Sequence, residues 1–156
     1  MTVAGALSIR LAAPGDLDAA RELVRDAALP LDGFDEAAQV FVADRDGRIV
    51  GVAALEDHGA GAGRALLLRS VAVAPDARGS GVGTALVHAA LRSAEQHGVP
   101  VSLLTETAPD YFPRFGFQAV DRRDLASALR SSKELQGACA VSARAFVREP
   151  PVPPVR

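Results

Sequence analysis

The sequence predicts an α/β (α+β) domain that has a mixed β-sheet of six to seven strands with helices on both faces. Short apolar runs of strand length alternate with stretches of helical periodicity along the chain. Their order is strand, helix, three strands, helix, strand, helix, two strands. Strands interleaved with helices in this way form a sheet that is buried on both faces.

Seven apolar runs are predicted to be the strands. They cover residues 7–11, 39–44, 48–56, 66–73, 101–105, 117–120 and 140–147. Asp46-Gly47, between the second and third runs, favours a tight hairpin turn. The glycines at 59–63 form a flexible link into the fourth run. The fifth run is apolar enough to be a buried strand.

The first helix is predicted from residue 17 to residue 27. Its apolar residues recur at helical spacing, and Pro14-Gly15-Asp16 precede them as a helix start with Asp16 as the N-cap. Leu29-Pro30 ends the helix, because proline cannot continue its hydrogen-bond pattern.

Two further helices are predicted after the fourth strand. Residues 81–97 carry an apolar stripe at helical spacing, and Gly98 after them suits the left-handed position that follows a helix. Residues 109–115 are expected to form a short third helix, which ends at Gly116.

The most informative segment is residues 66–85, where a strand leads through a glycine-rich loop into a helix. Gly79, Gly81 and Gly83 let the backbone approach a ligand closely. The N–H groups of residues 78–84 would converge at the helix N-terminus, where four donors lack partners within the helix. A concave site at the positive end of a helix dipole binds phosphate or pyrophosphate. The segment therefore predicts a phosphate-bearing cofactor.

Several kinds of loop contain glycines in a similar pattern. A P-loop ends in Lys followed by Ser or Thr, and the only lysine of the chain is Lys133. A dinucleotide fingerprint has a third glycine where this chain has Thr84, although Glu106 lies near its expected acidic position. Residues 78–83 match Arg-x-x-Gly-x-Gly. An ordinary glycine-rich turn is the remaining alternative.

A second motif lies about 30 residues after the loop. It is Tyr111-Phe112-Pro113-Arg114-Phe115-Gly116-Phe117, an aromatic pair and short helix followed by Gly-Phe at the start of a strand. The two motifs, with a helix and a strand between them, resemble those of the GNAT superfamily of N-acetyltransferases. This resemblance covers almost the whole chain and implies the acetyl-CoA N-acyltransferase (GNAT) fold. The alternative is that these aromatic residues only fill the core.

Four further segments resemble a narrower group, the N-acetyltransferases found among bacterial arsenic-resistance genes. They are Gly51-Val52-Ala53-Ala54-Leu55-Glu56, Leu67-Leu68-Arg69-Ser70, Leu103-Leu104-Thr105-x-Thr107-Ala108 and Ser132-x-Glu134-Leu135-x-x-x-Cys139. That group usually reads Glu-Phe and Cys-Pro-x-Ser-Ala near its end, where this chain has Glu134-Leu135 and Cys139-Ala140. The resemblance implies a small amino-acid-like acceptor, with an arsenical as the specific case.

The resemblance implies an enzyme that transfers an acetyl group directly from acetyl-CoA to a primary amine, without a metal. In this fold the strands at 66–73 and 101–105 diverge, and the pantetheine arm lies between them. Main-chain groups of Val71 and Val73 would pair with the arm as an added strand does. The pyrophosphate would be bound by the cofactor loop, which consists of Arg78, Gly79, Ser80, Gly81, Val82, Gly83 and Thr84.

Glu56 and Tyr111 are the predicted catalytic residues. A free amine has a pKa near 10, so a base in the site raises its reactive fraction. Glu56, which ends a strand beside the central one, is the first candidate for this base; Glu106 is the second, and His58 could relay protons. Tyr111 is the candidate acid for the departing thiolate, although the family's usual position is Phe112 here. Water is the alternative acid.

Arg69 is the main candidate for binding the acceptor. It is a charge inside an apolar strand, and burial without a partner costs several kcal/mol. It therefore either forms a structural ion pair or reaches the cleft, where it would bind a carboxylate or another oxyanion of the acceptor. Thr105 and Thr107 are further candidates, and Cys139 is expected to be a small buried hydrophobe.

Composition is consistent with one cytoplasmic domain at residues 1–148, followed by a Pro-rich disordered tail at 149–156. The chain has 156 residues and a net charge of −2, so no positive field points to nucleic acid or an anionic membrane. No apolar run approaches the roughly 18 residues of a membrane span. The expected partner is a small-molecule amine, and a homodimer stays open. A non-catalytic acetyl-CoA-binding sensor or regulatory module is the alternative function.

Overall fold

The computed structural model describes residues 6–138 and 142–151. Within these residues the strands are β1 (Leu7–Leu11), β2 (Gln39–Arg45), β3 (Arg48–His58), β4 (Ala65–Val73), β5 (Val101–Thr105), β6 (Gln118–Val120) and β7 (Arg144–Arg148). The helices are α1 (Leu17–Asp26) and α2 (Val82–Glu95). The strands form one mixed sheet in the order β1-β2-β3-β4-β5-β7-β6.

The two helices cover opposite faces of this sheet. α1 buries Ala20 and Val24 in a cluster that includes Val52, whereas α2 buries Leu86 in a cluster that includes Ala53. Val52 and Ala53 fall in different clusters because successive residues of a strand point to opposite faces. The predicted mixed sheet with helices on both faces is therefore confirmed.

The β2–β3 hairpin and the start of α1 show how local sequence sets the elements. Asp46 and Gly47 have φ values of 54° and 85°, which the predicted tight turn requires. α1 begins at Leu17, as expected. The Asp16 carboxylate, however, accepts a hydrogen bond from the backbone N–H of Ala13 at 2.8 Å and makes no capping bond to α1.

Two predicted elements are shorter than expected. The third helix is a single 3₁₀ turn, Phe112–Phe115, because Pro113 lacks an N–H and Gly116 takes a φ of 93° directly after it. The last strand begins at Arg144, after the non-strand residues 142 and 143, and residues 140 and 141 of its predicted start lie outside the described residues. Arg144 pairs with Thr105, the last residue of β5, so an earlier start would have no partner on that strand.

Between β6 and β7, where no element was predicted, the described residues form short turns. 3₁₀ turns span Arg122–Asp124 and Ser127–Ser131, and a π-helical turn spans Glu134–Ala138. Cys139 and residues 152–156 of the predicted tail lie outside the described residues. In the part of the chain that the structure describes, no helix is long and apolar enough to cross a bilayer.

Candidate active site

β4 and β5 are parallel neighbours that pair only near their beginnings. Leu66 pairs with Val101 and Leu67 with Ser102. Beyond these pairs β4 continues to Val73 and β5 to Thr105, so the strands diverge as predicted. The divergence leaves the main chain of both strands facing an open fork in the middle of the sheet.

Two adjoining cavities open at this fork. The fork cavity, of about 710 Å³, lies between β4 on one side and β5 with the segment after it on the other. The loop cavity, of about 550 Å³, follows β4 to the cofactor loop and the start of α2. Val71, Ala108 and Tyr111 line both cavities. An extended ligand held along the cofactor loop can therefore reach into the fork.

A β-bulge bends β4 at the point where the cavities meet. Val52 pairs with Ala72 and Ala54 with Arg69, so two residues of β4 stand opposite one residue of β3. Ser70, one of the two, has a φ of 59°, in the left-handed region. Bulges of this kind bend the strand and disrupt its regular pairing. Val71 follows directly, and both Val71 and Val73 line the loop cavity, as the prediction of main-chain binding there requires.

The cofactor loop lies along the loop cavity at the N-terminus of α2. Gly79 and Gly81 have φ values of 79° and 84°, which residues with a side chain rarely adopt. No side-chain oxygen of the described residues accepts a hydrogen bond from the N–H groups in the first turn of α2. Within the cofactor loop all residues but Ser80 line the cavity; the Ser80 hydroxyl donates to the Ala77 carbonyl.

Arg78 joins the cofactor loop to the end of β4. Its Nε donates to the carbonyl oxygen of Val73 at 3.1 Å. This contact fixes the loop relative to the end of β4, and Arg78 itself also lines the loop cavity.

Tyr111 lies where the two cavities meet. Its hydroxyl is 3.0 Å from Thr84 Oγ1, in the first turn of α2. Its ring packs edge-to-face against Phe112 and Phe115, and the Arg114 guanidinium lies 4.8 Å from the ring centroid. The structure thus brings the candidate acid to the cofactor loop, while Phe112, at the family's usual position, is largely buried and contributes an apolar ring to the wall of the fork cavity.

Arg69 points into the protein and is held by oxygen atoms there. Its Nη1 donates to Glu56 Oε2 at 2.8 Å and to the Asp32 carbonyl at 2.7 Å, and its Nη2 donates to the Pro30 carbonyl at 2.9 Å. Its Nε lies 3.4 Å from Glu134 Oε2. The Arg69 side chain is 0% exposed. Of the two alternatives the sequence left open, the structure contains the ion pair, and this position does not support a carboxylate clamp on the acceptor.

Glu56 lies behind Arg69, away from both cavities. Its Oε1 is 2.6 Å from His58 Nε2, and His58 Nδ1 is 2.9 Å from the Ser131 hydroxyl. The Glu56 side chain is 6% exposed and contributes to neither cavity lining. The expectation that this strand end presents Glu56 to the acceptor is therefore not met, because the carboxylate turns toward Arg69 and His58. Its role as a base stays a prediction.

Three of the other candidates line the fork cavity directly. They are Thr105, Glu106 and Thr107, which end β5 or follow it. Thr105 Oγ1 accepts a hydrogen bond from the Ala108 N–H at 3.1 Å, so this side chain shapes the loop. Glu106 accepts a hydrogen bond from the Ser142 hydroxyl at 2.9 Å.

Glu134, for which no role was predicted, lies in the wall of the fork cavity. Its side chain is only 5% exposed, and it begins the π-helical turn Glu134–Ala138. No periodic pattern marks this turn. The one available signal was that Glu134 falls in a segment resembling the arsenic-resistance group. Among the described residues, no group of three or more His, Cys, Asp or Glu side chains could hold a metal ion.

Comparison with protein families decides the classification. Residues 36–119, more than half of the chain, match the model of the acetyltransferase (GNAT) domain family. The chain belongs to the GNAT family. No curated protein sequence matches it significantly.

Solved structures of GNAT proteins share the fold. N-acetylglutamate synthase from Neisseria gonorrhoeae, complexed with coenzyme A and N-acetyl-glutamate, has a TM-score of 0.77 and 22% identity over 94% of this chain and 36% of that chain. This protein thus spans about a third of that enzyme's length. A Mycobacterium tuberculosis protein in complex with CoA has a TM-score of 0.70 and 25% identity over 91% and 98% of the two chains. A Brucella melitensis GNAT acetyltransferase in complex with acetyl-CoA has a TM-score of 0.61 and 26% identity over 74% of this chain and 84% of that chain.

Proposed function

We propose that this protein is an acetyl-CoA-dependent N-acetyltransferase that acetylates the primary amine of a small acceptor. The observation that carries the proposal is the continuous path from the cofactor loop into the fork. Backbone donors at the start of α2 suit a pyrophosphate, and the side of β4 that no longer pairs with β5 suits the pantetheine arm. Membership of the GNAT family and the CoA-bound and acetyl-CoA-bound related structures support the same cofactor.

In the proposed reaction the neutral amine attacks the thioester carbonyl carbon. The C–N bond forms, the C–S bond breaks, and CoA leaves as a thiolate that takes up a proton. Once the C–N bond has formed, the nitrogen carries one proton more than the amide product, and it loses this proton to a base or to water. Most of the acceleration comes from holding the two reactants together in one cleft.

Proton transfer is assigned to named residues as part of the proposal. Tyr111, at the junction of the cavities, donates to the departing thiolate, directly or through water. Glu106 lines the fork cavity and accepts a proton directly, whereas Glu56 requires a water molecule or His58 between itself and the amine.

For the acceptor we propose a small amino-acid-like amine, with an arsenical involved in arsenic resistance as the specific case. The support is the resemblance of four segments to that group and a fork cavity of about 710 Å³, which has room for such a molecule beside an acetyl group. A screen that follows free thiol release from acetyl-CoA would compare alkylamines, α-amino acids and an arsenic-containing amino acid. Transfer to alkylamines alone would remove the arsenical from the proposal.

The cofactor part is tested by replacing Gly81 with valine. A β-branched residue at a φ of 84° is strongly disfavoured, so the loop must change shape and its N–H groups no longer converge. We expect the Kd for CoA, measured by calorimetry, to rise roughly tenfold or more, which corresponds to about 1–2 kcal/mol of backbone strain.

Gly47→Val is the matched control, because Gly47 has a φ of 85° and, like Gly81, no atom within 4 Å of an added Cβ. This variant should lose stability and keep its CoA affinity. Equal losses of affinity in the two variants, or wild-type binding of NADPH and not of CoA, would exclude the proposed site. CoA binding without transfer to any amine would favour the sensor, an alternative consistent with Phe112 at the usual acid position.

A further inference from the structure

The charges around the fork cavity indicate what kind of acceptor it fits. The charged side chains among its described lining residues are Arg69, Glu106 and Glu134. The Arg69 side chain is 0% exposed, and its donors are directed at protein oxygens, so it offers no positive charge to a ligand. The charges that remain on the cavity wall are therefore carboxylates. Such a wall complements a cation.

Glu134 and Glu56 share Arg69 but differ in what else they face. Glu56 Oε2 is 2.8 Å from the guanidinium and its other oxygen contacts His58, away from the cavity. Glu134 Oε2 is 3.4 Å from Arg69 Nε, longer than the 2.7–2.9 Å of a strong charge-assisted hydrogen bond. Glu134 also forms part of the cavity wall. One guanidinium thus lies between two buried carboxylates, and of these two Glu134 is the one that lines the cavity.

Resting on the proposed acetyl transfer, we infer that Glu134 is the carboxylate that receives the ammonium group of the acceptor. A compact ammonium group that leaves water needs an ionic partner, because its burial alone is costly. Glu134 supplies that partner at a nearly buried position. Arg69 acts as a positioning residue, which holds the carboxylate in the wall. The acceptor class is a small primary amine that enters the cavity as a cation.

Two amines of the same size and opposite charge state test this inference. n-Butylamine is a cation at pH 7, whereas O-propylhydroxylamine has the same number of non-hydrogen atoms and is uncharged at pH 7, because its oxygen lowers the basicity of the nitrogen. The measured quantity is the ratio of kcat/KM for the first amine to kcat/KM for the second, taken on one protein sample. A variant that is partly unfolded lowers both values and leaves the ratio intact.

Glu134→Gln should lower this ratio about 10- to 100-fold, the effect of losing a hydrogen bond to a charged group. Because Glu56 and Glu106 are candidate bases, their variants are compared in binding and not in rate. In calorimetry with the CoA complex, Glu56→Gln, which also removes a carboxylate from Arg69 but one off the cavity, should keep the wild-type preference for n-butylammonium over O-propylhydroxylamine within about threefold, and Glu106→Gln should do the same. A ratio that is unchanged in Glu134→Gln, or a binding preference that is lost as fully in either control, overturns the inference.

Calorimetry with the CoA complex separates this inference from the proposed function. The wild type should bind n-butylammonium about tenfold or more tightly than O-propylhydroxylamine, and Glu134→Gln should remove the preference. Preferential binding without any acetyl transfer would refute the proposed function and leave the ammonium site standing. Acetyl transfer to both amines with no preference in either measurement would refute the ammonium site and leave the proposed function standing.

Discussion

Two clusters in the molecule contain the same groups, one arginine between two carboxylates, at very different depths. The edge cluster consists of Arg10, Asp16 and Asp44, and the inner cluster of Arg69, Glu56 and Glu134. The Arg10 side chain is 36% exposed and that of Arg69 is 0% exposed. Both arginines make a hydrogen bond shorter than 3 Å to a carboxylate. Composition and short contacts therefore do not distinguish the clusters, whereas burial does.

The position in the sheet explains the difference. β1 is an edge strand, so the edge cluster only ties the start of α1 to two neighbouring strands. β4 is the central strand, and Arg69 connects β3, the turn that begins at Glu134 and the carbonyls of Pro30 and Asp32. Of the residues that Arg69 contacts in these segments, Pro30 and Glu134 line the fork cavity. The inner cluster thus supports the shape of the candidate site, and the edge cluster supports only the outer part of the sheet.

The largest expected effect is the loss of stability in Arg69→Met. Removing the guanidinium leaves two buried carboxylates without their cation, a change that costs roughly 3–5 kcal/mol in buried pairs. Urea unfolding monitored by circular dichroism would measure the free energy of unfolding. Arg10→Met is the matched control, because it breaks two similar contacts at the exposed edge and should cost far less.

If both variants lost the same free energy of unfolding, the prediction would be wrong, because burial would then not decide how strongly these clusters stabilise the fold. The acceptor-clamp prediction for Arg69 is tested at the same time. A well-folded Arg69→Ala variant with normal CoA affinity and a much higher KM for the acceptor would restore the clamp.

The two clusters also show what the sequence could and could not predict. Arg69 could be singled out because a charge interrupts an apolar strand, and Glu56 because it ends the neighbouring strand. Their pairing could not, because it depends on the bulge at Ser70 and the register of β3 against β4. Glu134 lies in a turn without periodicity, so only its place in a segment that resembles the arsenic-resistance group marked it. Contacts between side chains from separate segments are set by tertiary packing, which no local pattern encodes.

The cofactor side of the site was easier to predict. The cofactor loop is continuous in sequence, its glycines mark backbone angles that other residues avoid, and its proposed donors are main-chain groups. The sheet, α1 and α2 follow from periodicity in the same way. The short third helix and the late start of β7 differ from prediction because Pro113 and the end of β5 limit them.

The smallest expected effect is a pH-dependent difference between the wild type and Arg10→Met. Hydrogen bonds from Arg10 hold the pKa of Asp16 and the pKa of Asp44 below the usual value. A carboxyl group with a lowered folded-state pKa stabilises the fold above its unfolded pKa of about 3.9 and loses this contribution as pH falls through the folded value. The two proteins should therefore differ in free energy of unfolding at pH 7, and the difference should shrink as the pH is lowered below the unfolded pKa of about 3.9 toward the acidic limit. Urea titrations between these limits measure the difference, and added salt at pH 7 should reduce it, because exposed charges are screened. A difference that persists unchanged at the acidic limit would mean that Arg10 stabilises the edge by packing its side chain, and the edge cluster would no longer be an electrostatic counterpart of the inner one.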